Sequence, residues 1–284
     1  MFRDGVDIGK GRCLSELDVA SVDRELVGTR FAGCLRHFHS VGSTNSLAVA
    51  EAQAGARLGV WIADEQTAGR GRGGHRWHSA VGDGLYVSAL IVPGLPATRA
   101  LWISLATGLA ARRAILEASG LQAEIRWPND LLLNGRKCGG VLVESTILAA
   151  EGESTETMRY AVIGVGINVN HESFPDELRE VATSLRMEAG REVARERLLV
   201  SLLRGLEDEL GRLRAECAGG VTEEGLLMRF AAASSWVRGK RVRVGEADGY
   251  TGVTVGLNRD GFLLVQAEDG TKHTVLSGGV RELE

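Results

Sequence analysis

Apolar and polar positions along this chain fall into two regimes. From residue 35 to about residue 233, short apolar runs alternate with longer stretches of helical period; from residue 240 only short alternating segments remain. In the first regime Leu35–Val41 alternates like a strand. Gly59–Asp64 and Gly84–Val92 are compact apolar runs and read as buried strands. Ala123–Trp127, Val141–Glu144 and Tyr160–Asn168 add three more, and the last is so nearly apolar throughout that it belongs at the centre of a sheet. Pro128 forces a turn, and Asn134-Gly135 after Leu131–Leu133 marks a hairpin. Helices are predicted over residues 14–26, after the Ser43-Thr44-Asn45 triplet, and over Thr98–Ser119 with Gly120 as its cap. In that third helix Leu101, Leu105, Leu109 and Leu116 set the stripe. Glu192–Cys217 carries the clearest stripe (Leu199, Leu202, Leu203, Leu206, Leu210 and Leu213), which is core packing without chemistry, and a short helix follows over Glu223–Ala233.

In the second regime Arg241–Val244, Gly252–Leu257, Phe262–Gln266 and His273–Leu276 are strands. The turns between them fall at residues 246–249, 258–261 and 268–270. This pattern predicts a small SH3-like β-barrel. The expected organisation is therefore α+β: a central mixed β-sheet flanked by helices over residues 1–235, then the small β-domain over residues 236–284.

Composition narrows the function classes. With 284 residues, 44% hydrophobic and 25% charged, the chain is ordinary globular material. A net charge of −4 and an isoelectric point near 5.9 exclude a polybasic nucleic-acid binder. Four scattered cysteines, Cys13, Cys34, Cys138 and Cys217, form no Cys-x-x-Cys pair and no zinc spacing, which suits free thiols in a reducing compartment. The amino terminus lacks the apolar segment of a signal peptide, and no run is long enough to span a bilayer. A soluble, cytoplasmic protein with no membrane partner is expected.

Candidate chemistry concentrates in residues 63–77. Gly69, Gly71, Gly73 and Gly74 interleave with Arg70, Arg72 and Arg76. Glycine permits positive φ and close approach, and arginine brings a forked cation suited to carboxylate or phosphate. A solvated turn or a nucleic-acid patch is the competing reading of this loop alone. Further polar groups sit at other strand ends: Ser43-Thr44-Asn45, Gln66, Asn129-Asp130, Lys137 and Asn168. Each has a plain alternative, from helix capping for the triplet to an ordinary surface lysine for Lys137. Gly164 and Gly166 weaken a strand unless they admit a ligand or another backbone. No P-loop, dinucleotide fingerprint or nucleophile elbow is present. The inventory favours polar clamping over a covalent nucleophile.

The ordered set Ser43-Thr44-Asn45, Gln66-x-x-Gly-Arg-Gly-Arg-x-Gly-x-x-Trp77, Trp127-Pro-Asn-Asp130, Arg136-Lys137-x-x-Gly140 and Gly164-x-Gly-Ile-Asn168-Val resembles the biotin–protein ligase family over roughly residues 35–284. The resemblance implies a fold like that of the class II aminoacyl-tRNA synthetases. It implies a two-step reaction: biotin and ATP give biotinyl-5′-AMP, and a lysine of a biotin carboxyl carrier protein domain then takes the biotin. ATP with Mg²⁺ is the co-substrate, biotin the substrate, and no prosthetic group is expected. By the same resemblance Ser43, Thr44, Asn45, Gln66, Arg70, Gly71, Arg72 and Lys137 contact biotin. Arg72, Trp77, Asn129, Lys137 and Asn168 contact the adenylate, and Lys137, Arg70 and Asp130 are catalytic. Asp130 orients Lys137, orients the incoming amine or helps hold Mg²⁺; metal ligands are left open. The strand from Gly84 to Leu90 contributes to the apolar wall.

This sequence departs from many members at Cys138-Gly139, where Leu-Ala is common, which raises the possibility of an oxidation-sensitive thiol. It also lacks an aromatic residue after Thr183-Ser184-Leu185, which puts more weight on Trp77 for adenine. Only 42 residues precede the Ser-Thr-Asn motif. A monofunctional ligase that does not bind DNA, as monomer or homodimer, is therefore expected. The rivals are transfer of lipoate or octanoate to a carrier lysine, a DNA-binding regulator, and a non-catalytic carrier-docking protein.

Overall fold

The computed structural model describes residues 17–148, 156–220, 224–245, 249–276 and 279–283. Cys13, the start of the predicted helix at residue 14 and most of the turn at residues 246–249 lie outside these.

Seven strands form the main sheet: β1 (Leu35–Val41), β2 (Gly59–Gln66), β3 (Gly84–Ile91), β4 (Glu124–Arg126), β5 (Asp130–Leu133), β6 (Arg136–Leu148) and β7 (Thr157–Asn168). Their order is β1-β2-β3-β7-β6-β5-β4, with β1 and β2 parallel and every other pair antiparallel. The parallel pair requires a crossover, which helix α2 (Thr44–Gln53) provides. β6 and β7 run longer than the apolar pattern predicts, and Ile147 near the far end is 47% exposed. Ser145–Ile147 near the outer end of β6 are exposed, so no core pattern marks them, whereas Met158 at the start of β7 is buried.

The centre of the sheet is covered on both faces, which is why β7 reads as continuously apolar. Ala161, Ile163, Val165 and Ile167 join the large core with helices α3 (Ala100–Ser119) and α5 (Arg195–Cys217). Tyr160 and Val162 face the other way, against Ala48 and Ala52 of α2, Trp61 and Leu90. Gly164 and Gly166 continue this second face, where the helix gives way to the cleft described below.

Gly120 ends α3 in the left-handed conformation, φ +81°, as predicted. The stripe on that helix differs from the leucine reading. Leu116 is 46% exposed, while Ile103, Ala106, Ala110, Ala111, Ala114 and Ile115 are buried. Alanines let α5 approach closely, and a Cβ on Gly205 would lie 3.4 Å from the Cβ of Ala110. The α5 leucine stripe is buried as expected. Helix α1 covers Val19–Glu25, α4 Leu185–Ala189 and α6 Leu226–Ala233.

The second sheet is antiparallel, with order β11-β10-β9-β8-β12 from β8 (Arg238–Val244), β9 (Tyr250–Leu257), β10 (Leu263–Ala267), β11 (Lys272–Val275) and β12 (Val280–Glu282). It is the small SH3-like β-unit that the alternation predicts, with β12 as an added short strand. Its β9–β10 turn docks on the main unit, where Trp127 Nε1 donates to Gly261 O at 2.9 Å.

Candidate functional site

The cleft opens where the N-terminus of α2, the end of β2 and the faces of β6 and β7 meet. Ser43 caps α2 with extended backbone, accepting from the Ser46 N–H, and this turns Thr44 and Asn45 inward. All three are polar and no more than 5% exposed, far more buried than simple capping requires. Gln66 Oε1 accepts from the Thr44 N–H at 2.9 Å and lies 3.1 Å from the Thr44 hydroxyl. Its Nε2 donates to Ser79 Oγ. Ser88 on β3, fully buried, lies 2.7 Å from Thr44 Oγ1 and 2.5 Å from Asn45 Oδ1.

The glycine–arginine loop is folded as a tight hairpin. Gly71 N donates to His75 O, Trp77 N donates to Gly69 O, and Gly73 and Gly74 turn the tip at φ +66° and +80°. Arg70 reaches across the cleft and pairs with Glu144 of β6. The cleft beneath the hairpin is small, about 50 Å³, and partly open. Residues lining it include Ser43, Thr44, Asn45, Gln66, Arg70, Gly71, Arg72, Trp77, Asn129 and Lys137. Val87 on β3 also lines it, in keeping with the wall expected from that strand.

The two glycines of β7 line the cleft, and it is side chains rather than another backbone that approach them. A Cβ on Gly164 would lie 2.2 Å from Asn45 Oδ1, and one on Gly166 would lie 2.6 Å from the Trp77 indole. Two side chains thus use the space. The indole Nε1 is buried and has no acceptor among the described residues, a donor left over for a bound molecule.

Lys137 is held on two sides. Its Nζ lies 2.6 Å from Asp130 Oδ1 and 5.4 Å from the centre of the Trp77 indole. Arg126 occupies the other oxygen of Asp130, at 2.6 Å. Burial alone would raise the Asp130 pKa, but the charges and hydrogen bonds of Lys137 and Arg126 outweigh it and hold the carboxyl below its ordinary value. Both oxygens of Asp130 are thus engaged in ion pairs. No group of three or more acidic, histidine or cysteine side chains suited to a metal ion occurs among the described residues.

Asn129 Nδ2 donates to Val141 O at 2.9 Å at the cleft wall. Asn168 stands apart from the lining. Its amide N–H groups go to Thr183 O at 3.0 Å and Lys137 O at 3.4 Å, clipping the segment after β7 to the start of β6. The Cys138 thiol is fully buried, donates to Leu131 O at 3.4 Å, and is pushed up to about 12 by that burial. Reactive thiols are exposed and acidified, so the oxidation-sensing expectation fails here. Ser88 and Glu144 were missed in the sequence, where one serine in an apolar strand and one glutamate at a strand end carry no signal.

Beyond the hairpin, His78 lies 5.9 Å from His171, which stacks on Phe174. Burial, with a smaller contribution from His78, pushes the His171 pKa down from 6.5 to about 4. The neutral ring is thus favoured in the fold, and its stabilisation is complete above pH 6.5 and lost as the pH falls towards 4. Between about pH 7.5 and about pH 5 this group should remove about 2 kcal/mol from unfolding free energy. Urea titrations at both values test this: His171→Gln should flatten the drop, and an unchanged drop would refute the assignment.

Comparison with known proteins agrees with this geometry. Residues 39–168 match the model of the biotin/lipoate A/B protein ligase family, and residues 238–280 match the biotin protein ligase C terminal domain. The bifunctional ligase/repressor BirA of Bacillus subtilis is 36% identical over 214 residues, 74% of this chain and 62% of its own length. The biotin--[acetyl-CoA-carboxylase] ligase of Mycobacterium tuberculosis is 34% identical over 172 residues, 58% of this chain and 60% of that one. The chain thus spans about 62% of the length of the Bacillus relative. A solved biotin protein ligase from Aquifex aeolicus, in complex with biotin and ATP, superposes with a TM-score of 0.70 at 28% identity, covering 88% of this chain and 100% of that chain.

The chain belongs to the biotin/lipoate A/B protein ligase family. Within it, the C-terminal sheet sets this chain among the biotin protein ligases.

Proposed function

We propose that this protein activates biotin with MgATP and transfers it to a lysine of a biotin carboxyl carrier domain in a biotin-dependent carboxylase. One observation carries the reading: a lysine fixed by a half-buried carboxylate stands beside a pocket of buried, mutually bonded polar side chains. Ser43, Thr44, Asn45 and Gln66 form a head-group pocket for a compact polar ring system. Lys137 stands where a carboxylate and a triphosphate must meet against their mutual repulsion. Its charge favours their approach and stabilises the charge that develops at phosphorus. The biotin carboxylate oxygen bonds to the α-phosphorus and pyrophosphate leaves, giving biotinyl-5′-AMP. The neutral amine of the carrier lysine then attacks the anhydride carbonyl; AMP leaves, and the nitrogen loses its proton.

Arg70, Gly71 and Arg72 belong to the hairpin that opens for substrates and closes over the adenylate, keeping water from the anhydride. The unpartnered Trp77 Nε1 and its flat seat on Gly166 support the placement of adenine there. Asn129 borders that end, and Asn168 supports it from behind through Lys137 O. Mg²⁺ enters with ATP. Residues 1–235 form the catalytic unit and residues 236–284 the SH3-like unit. No helix among the described residues is long and apolar enough to cross a membrane.

Mass spectrometry of a carrier domain incubated with the protein, biotin and MgATP tests the reading. One added biotinyl group is expected. Acylation only when lipoate replaces biotin would overturn it in favour of lipoate transfer.

A further inference from the structure

Glu144 lies part-way along β6 and joins two parts of the cleft. Its Oε2 accepts from Asn45 Nδ2 at 2.9 Å, and its Oε1 takes the Arg70 guanidinium. Asn45 has no freedom between its neighbours. Its Nδ2 also reaches Leu142 O at 3.4 Å, its Oδ1 meets Ser88, and the missing side chain of Gly164 gives it its seat.

A carboxylate accepts only, so the Asn45 NH₂ must face Glu144 and its carbonyl must face Ser88. The Ser88 hydroxyl has one proton and two close oxygens, Asn45 Oδ1 at 2.5 Å and Thr44 Oγ1 at 2.7 Å. An amide carbonyl cannot donate, so the shorter contact takes the Ser88 proton. The Thr44 hydroxyl then donates to Ser88, and Gln66 Oε1 keeps the Thr44 backbone N–H at 2.9 Å. Donation therefore runs Thr44 to Ser88 to Asn45 to Glu144, and the carboxylate at the end gives the relay its direction. A neutral amide in its place offers a donor as well as an acceptor, and only the longer contact to Leu142 O then opposes a flip of Asn45.

We propose that Glu144 is the positioning residue that fixes the donor–acceptor polarity of the head-group pocket. The assignment rests on biotin being the ligand of that pocket. Calorimetric titration of biotin into the parent protein, E144Q, N45A and the double variant tests it, with the ATP KM of each as a second readout. E144Q should raise the biotin Kd by about tenfold while leaving the ATP KM within about twofold, a split that general loosening of the sheet would not produce. In the N45A background the same change should shift Kd by less than about twofold, because the group that Glu144 orients is gone.

A parent that binds biotin while E144Q binds it equally well overturns the inference and spares the function. So does a tenfold effect that persists in the N45A background. A parent that binds no biotin overturns both. If thermal unfolding shows that E144Q does not fold, S88A breaks the same relay from its other end. The S88A effect on biotin must likewise vanish in the N45A background, and its persistence there overturns the inference.

Discussion

Replacing Lys137 with alanine is expected to leave a folded protein that releases pyrophosphate from biotin and MgATP at about a hundredth to a thousandth of the parent rate or less, the usual cost of removing one group that stabilises transition-state charge. The side chain is partly exposed, so its loss opens no core cavity. Asp130 is not orphaned either, since Arg126 still binds its other oxygen at 2.6 Å. Rate and stability should therefore separate, with little change in the thermal midpoint beside the collapse in pyrophosphate release. Near-parent release would remove Lys137 from the chemistry. Lys137→Arg should not restore the rate, because a planar fork replaces the point charge that Asp130 and the Trp77 face now hold in place.

The second large effect is expected from a single methyl group. Gly166→Ala puts a Cβ 2.6–3.0 Å from three atoms of the Trp77 indole, too close for either to stay. The indole sits on a loop and the strand is central, so the indole moves. Overpacking of this kind costs about 1–3 kcal/mol, and the loss should fall on nucleotide affinity, about 5- to 150-fold. Gly164→Ala, two residues away, meets Asn45 Oδ1 at 2.2 Å and should weaken biotin instead. Separate titrations of biotin and an ATP analogue distinguish the pair. Equal losses of both ligands in both variants would mean that the strand, not the two seated side chains, had moved.

Most elements were legible because burial imposes a period. The α5 leucines, the β2 and β3 runs and the Gly120 cap each follow from one local rule. Sequence reading failed where no core imposes a pattern. The outer end of β6 is exposed, α4 spans only five residues and β12 only three. It was incomplete on α3, where Leu116 is exposed and alanines add to the contact face that Leu101, Leu105 and Leu109 share.

The site was legible as an inventory and not as a geometry. The triplet, Gln66, the loop arginines, Asn129 and Lys137 line one cleft, as their shared position at strand ends suggests. Gly164 and Gly166 were recognisable as points of close approach. That Asn45 and Trp77 are the groups approaching depends on contacts across more than 85 positions of sequence, as the numbering of the pairs shows. Ser88 and Glu144 have no local mark, since their roles come entirely from what the fold brings beside them.

The spacing of the two glycines has a metric consequence. Alternate residues of a strand on one face stand about 6.6–6.8 Å apart, so Gly164 and Gly166 set the seats of Asn45 and Trp77 one pleat repeat from each other. β7 thus acts as a ruler. The distance between the two halves of the ligand is written into backbone covalent geometry, which temperature, salt and side-chain motion barely change. The proposed opening and closing of the hairpin would then leave the spacing of the two seats unaltered.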